Sequence, residues 1–62
     1  MNRKLIKLRH SRNLSQIVAA QGIGISQSML SSLENNKREA SDKVKTKIAK
    51  YYGRSIQYIF FS

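Results

Sequence analysis

Residues 14–34 run Leu14-Ser15-Gln16-Ile17-Val18-Ala19-Ala20-Gln21-Gly22-Ile23-Gly24-Ile25-Ser26-Gln27-Ser28-Met29-Leu30-Ser31-Ser32-Leu33-Glu34. Ser15 is placed to accept the first free backbone N–H groups of a helix as its N-cap. Ile17, Val18, Ala19 and Ala20 then read as a small, largely buried helix. Gly22-Ile23-Gly24 stops it, because glycine takes the left-handed backbone that closes a helix at no steric cost. Ser26 caps the next helix, with Ile25 ahead of it positioned to staple onto Leu30. Met29, Leu30 and Leu33 form its buried stripe, which leaves Gln27, Ser28, Ser31 and Ser32 facing outward. The stretch predicts two short helices joined by a tight glycine turn, the second with one apolar and one polar face.

The flanking sequence adds helices and no strand. Leu5, Ile6 and Leu8 make the apolar side of a short amphipathic helix from about Arg3 to Arg12. Asn35-Asn36-Lys37-Arg38 is a polar, basic loop. Ser41 caps a fourth helix, and Asp42 sits favourably at the positive end of its dipole. Val44, Ile48, Tyr51 and Tyr52 follow the i, i+4, i+7, i+8 spacing of a buried face, and Gly53 ends the run. Ser55 opens a last short helix, Ile56 to Phe60. The expected fold is all-α, five short helices in a single domain over residues 1–62.

Composition narrows the function classes. The chain of 62 residues carries 12 Lys and Arg against 3 Asp and Glu, a formal charge of +9. Such an excess repels itself in the compact state and implies an anionic partner, nucleic acid or anionic membrane. A membrane surface asks for one long amphipathic helix, and glycine-broken helices do not supply it. The longest apolar runs, Ile17–Ala20 and Tyr58–Phe61, fall far below the roughly 20 residues a spanning helix needs. A cytoplasmic location is the default expectation. With no cysteine and the single histidine His10, neither a disulfide nor a metal site is expected. No base–nucleophile pair and no phosphate-cradling glycine loop suggests an enzyme, and no cofactor is implied.

Two short helices around a tight glycine turn meet the physical requirements of a helix-turn-helix. Leu14-Ser15-Gln16, Ala20, Gly24-Ile25-Ser26-Gln27-Ser28 and Leu30-Ser31-x-Leu33-Glu34-Asn35-x-Lys37-Arg38 resemble the phage repressor and Cro family of helix-turn-helix proteins. Leu5-x-x-Leu8-Arg9 upstream and Ile48-Ala49-x-x-Tyr52-Gly53-x-Ser55-Ile56-x-x-Ile59 downstream fit the same family. The resemblance implies a lambda-repressor-like domain that binds double-stranded DNA and reads the major groove with the helix at 27–34, as a repressor or Cro-like regulator. It implies that Gln27, Ser28 and Ser32, with Ser26 beside them, face bases. Gln16 would bind a phosphate and buttress Gln27, while Asn35, Lys37 and Arg38 would grip the DNA backbone. Arg9 and Glu34 match an internal salt bridge of relatives.

This chain departs from the family pattern at four places. Asn36 stands where glycine is usual, Ala40 where proline is common, Ala19 where a larger aliphatic is usual, and Gly22 inside what is normally helix. The last suggests a looser end to the second helix. The recognition face is serine-rich, and serine discriminates weakly between bases. A module that acts by pairing with another repressor or protein, as antirepressors and antitoxins do, is therefore the alternative function. Tyr58, Phe60 and Phe61 are expected to form a dimer interface, with a second copy or with a different repressor, while Ile59 packs inward.

Overall fold

A helix leaves its first N–H groups without partners, and in this chain a polar side chain meets that need at the start of each helix. The computed structural model describes residues 1–61. Its elements are α1 (Arg3–Ser11), α2 (Gln16–Ile23), α3 (Gln27–Glu34), α4 (Asp42–Tyr52) and α5 (Ile56–Phe60). Asn2 Oδ1 accepts the Leu5 N–H at 3.0 Å ahead of α1. Ser15, Ser26, Ser41 and Ser55 accept in the same way from Val18, Met29, Val44 and Tyr58, at 3.0–3.2 Å.

The C-terminal ends of α1 to α4 also share one device. A residue of positive φ follows each helix: Asn13 (55°), Gly24 (93°), Asn36 (55°) and Gly53 (67°). The N–H after it turns back to a carbonyl of the last turn: Leu14 to Arg9 (3.2 Å), Ile25 to Ala20 (3.0 Å), Lys37 to Ser32 (2.9 Å) and Arg54 to Ala49 (3.1 Å). This is the Schellman closure, and only glycine and asparagine enter its left-handed backbone readily. Without proline in the chain, these four positions carry the punctuation.

All five helices contribute to one core, with Leu5, Leu30 and Ile48 fully buried at its centre beside Ala20 and Ile59. Ala19 and Ala20 are buried between α2 and its neighbours, so small side chains set how closely α3 can approach. Arg12, the C-cap of α1, donates through Nη1 and Nη2 to the carbonyls of Tyr51 and Tyr52, at 2.9 Å each. Its guanidinium thus sits on the negative end of the α4 dipole, which clamps α1 to α4. Asn2 fastens the other end of α1. Its backbone N–H donates to the Glu34 carbonyl (2.8 Å) and its Nδ2 to the Ile59 carbonyl (3.0 Å).

Three sequence expectations need correction. Gly22 lies within α2 and Gly24 alone stops the helix. The end of α2 is closely packed there, since a Cβ at position 22 would stand 2.8 Å from the Tyr51 Cζ and Oη. Ile17 and Val18 are 52% and 50% exposed, because Ala19, Ala20 and Ile23 claim the core side of α2 and turn them away from it. Ser31 and Ser32 are half-buried, since the C-terminal turn of α3 sinks into the core with Leu33 and Glu34.

Among the described residues the buried Tyr52 hydroxyl has no hydrogen-bond partner. Burial, aided by the neighbouring Glu34 charge, pushes its pKa from 10.0 up to about 12. An orphaned hydroxyl of this kind costs roughly 1–3 kcal/mol. Tyr52→Phe is expected to raise stability at neutral pH by about 1 kcal/mol in urea unfolding. The folded hydroxyl keeps its proton to about pH 12 while the unfolded one loses it near 10, so wild-type stability is complete below pH 10 and falls between these values. The Phe variant should lack this part of the alkaline loss, and an unchanged alkaline profile would contradict the assignment.

Candidate nucleic-acid interface

α3 is held by its far end, which leaves its near end to face outward. Glu34, at the C-terminus of α3, is 2% exposed. Its carboxylate accepts Arg9 Nε on Oε2 at 2.8 Å and Arg9 Nη2 on Oε1 at 3.1 Å. Gln16 Nε2 donates to the same Oε1 at 3.0 Å, and Arg9 Nη1 reaches the Leu14 carbonyl at 2.9 Å. Three helices and the turn between α1 and α2 thus converge on one carboxylate. The forked guanidinium matches its two oxygens, the strongest arrangement such a pair has. The hydrogen bond to Glu34 raises the Arg9 pKa above its usual value.

With Leu30, Leu33 and Glu34 buried, the opposite face of α3 presents Gln27 and Ser28 in its first, exposed turn. Ser26 lies just before them, and its Oγ is occupied as acceptor by the Met29 N–H. Ser32, one turn on and half-buried, lends its carbonyl to the Lys37 N–H. The left-handed Asn36 then turns the chain sharply, so that Lys37 and Arg38 emerge exposed directly after the helix. Asn35 is the C-cap of α3, and its Nδ2 donates to the Ser31 carbonyl at 2.9 Å. Gln16 turns its amide nitrogen inward to Glu34, because the buried carboxylate has acceptor capacity that Arg9 alone leaves unfilled.

A polar, uncharged helix face flanked by exposed cations has two uses on a duplex. Amide and hydroxyl groups can exchange hydrogen bonds with base edges. Cations after the helix can set its register by pairing with phosphates. The sequence did not disclose Arg12 and Asn2 as positioning residues for this site. Asn2 carried a legible signal, an N-cap type three residues before Leu5. Arg12 carried none, because the carbonyls it meets lie 39 and 40 residues further along the chain.

A family model described as helix-turn-helix matches residues 5–59, which includes the residues named above from Arg9 to Arg38. No curated protein and no solved structure matches the chain. Among the described residues no helix is long and apolar enough to cross a membrane.

The ion pair yields a stability prediction. Glu34→Ala strands the Arg9 guanidinium among buried groups and should cost roughly 3–5 kcal/mol in urea unfolding. Arg9→Met combined with Glu34→Leu should recover much of that loss, since apolar replacement of a whole buried pair is often neutral. Equal losses in the single and double variants would contradict this account.

Proposed function

The chain belongs to the helix-turn-helix family, of the phage repressor and Cro type, and from that premise we propose how it serves as a DNA-binding transcription regulator. It acts as a repressor or Cro-like protein, with α3 in the major groove. The observation that carries this is the division of α3 into a buried C-terminal end and an exposed, uncharged N-terminal turn bearing Gln27 and Ser28. A helix pinned in this way offers its first turn to base edges at a fixed angle.

Gln27 is the one long reader, able to pair its amide with adenine N6 and N7. Ser28, Ser32 and Ser26 add single hydroxyls that suit more than one base, so specificity leans on DNA shape as well as on direct contact. Lys37 and Arg38 hold phosphates, joined by Asn35 and by the amide of Gln16. Because Gln16 is already anchored on Glu34, a phosphate it touches is placed relative to the ion pair and hence to α3.

One module with one long reader selects poorly, and two related by a two-fold axis read half-sites about 34–36 Å apart. The second copy docks on the C-terminal surface. Tyr58 and Phe61 are 40% and 66% exposed there, Phe60 is half-buried between them, and Ile59 faces the core.

Two measurements test these assignments. In filter binding to a cognate duplex, affinity should fall with salt at a log–log slope of about −0.9 per neutralised phosphate. Gln27→Ala should cost about 1–3 kcal/mol on that duplex and flatten the ranking of a randomised library, whereas Lys37→Ala should weaken every sequence and lower the slope by about one. An absence of duplex affinity at low salt would refute the regulator function. Separately, sedimentation equilibrium with a palindromic duplex should find two copies per site. Phe61→Ser should abolish cooperativity and spare half-site affinity, and a monomer on that duplex would exclude the dimer.

A further inference from the structure

The aromatic residues in and just after α5 do not form a plain apolar patch, because cations lie over their rings. Lys4 Nζ stands 4.6 Å from the Tyr58 ring centroid, and the Arg54 guanidinium 5.4 Å from it. Lys45 Nζ stands 4.5 Å from the Phe61 centroid and 5.7 Å from that of Phe60. At these distances each cation is attracted by the ring it covers. The result is a ridge in which apolar ring edges alternate with ordered positive charge.

Beside the ridge run two adjoining clefts of about 320 and 160 Å³, which share Asn2, Asn36 and Phe60. Arg3 and Lys4 line the first, Arg38 and Lys45 the second, and Glu39 is the sole acidic residue on either wall. The occupant that matches this surface most fully supplies negative charge together with apolar groups that cover Phe60 and Phe61. Nucleic acid supplies the charge, but a base stacking on these rings competes with the cations already over them, Lys45 at Phe61 and Lys4 and Arg54 at Tyr58. A second copy supplies the apolar groups but little charge. Of its 3 acidic residues, Glu34 is buried, which leaves Glu39 and Asp42 against 12 cations. A second copy can therefore bury the rings, as in the dimer proposed above, but an acidic occupant answers the charge of the clefts as well.

We propose that this ridge and groove form a docking site for an acidic segment of a partner protein, one whose carboxylates alternate with apolar side chains. The carboxylates meet Lys4, Lys45 and Arg54 while the apolar side chains cover Phe60 and Phe61. Such a segment occupies the surface proposed above for the second copy, so it opposes paired binding on an operator. That regulatory consequence rests on the dimer described under Proposed function, whereas the binding itself does not.

The probe is a fluorescein-labelled peptide of alternating glutamate and leucine, titrated by anisotropy with the full chain in the absence of DNA. Saturable binding is expected, weakened about tenfold or more, some 1.4 kcal/mol, by Lys45→Glu or Phe61→Ser and unchanged by Gln27→Ala. Phe61 is exposed and Lys45 half-buried, and circular dichroism checks that the helices persist. A peptide with glutamine for glutamate should not bind. Failure of the acidic peptide to saturate, indifference to both substitutions, or equal binding of the glutamine peptide would overturn the proposal. So would a single-stranded oligonucleotide whose binding Phe61→Ser abolishes. A cognate duplex titrated with the same protein separates the two readings: duplex binding without peptide binding removes only this inference, and the reverse removes only the regulator function.

Discussion

One buried carboxylate ties the molecule together. Glu34 ends α3, and it receives Arg9 from α1 and Gln16 from α2. The orientation of the exposed turn of α3 is therefore set from its opposite end, by a buried carboxylate and two part-buried donors. A charge at this depth is tolerated only because its hydrogen-bond capacity is filled by a forked donor and an amide. The same network explains why Arg9 also holds the Leu14 carbonyl: the turn between α1 and α2 must be fixed for Gln16 to arrive at the carboxylate.

Around that centre the termini do much of the remaining work. A 62-residue chain has little interior, and helices of five to eleven residues are too short to persist alone. Capping at the start of every helix and left-handed closure at the end of four relieve backbone groups that would otherwise oppose folding. Asn2 and Arg12 extend this logic between helices. Each uses side-chain N–H groups to satisfy carbonyls of a helix distant in sequence, so that capping and tertiary docking become one interaction.

The surplus of positive charge is put to different uses in different places. Arg9 is spent inside, and Arg12 is bound to the end of α4 with its guanidinium 5.2 Å from the Tyr52 ring. Lys4, Lys45 and Arg54 lie over aromatic rings on the C-terminal surface. Lys37 and Arg38 stand exposed beside α3. A formal charge of +9 thus overstates what any single anionic partner meets, because part of it is committed to holding the fold.

Local chemistry was legible in the sequence by itself. The order of the helices and the serine caps depend on residues within one turn of each other, and each behaves as its neighbours dictate. The pairing of Arg9 with Glu34 was legible through resemblance, whereas the outward face of Gln27 and Ser28 followed from the apolar stripe of α3. Tertiary structure decided what depends on which side of a helix its neighbours occupy. Ile17 and Val18 are apolar, yet they lie exposed because Ala19, Ala20 and Ile23 meet the core instead. Gly22 reads locally as a helix stop, yet it is helical and answers to the Tyr51 ring from α4. Gln16 turns to Glu34, and Arg12 to two carbonyls of α4, because folding brings those acceptors within reach. Periodicity reports that a face exists, whereas the core side is set by the arrangement of all five helices, a property no short stretch contains.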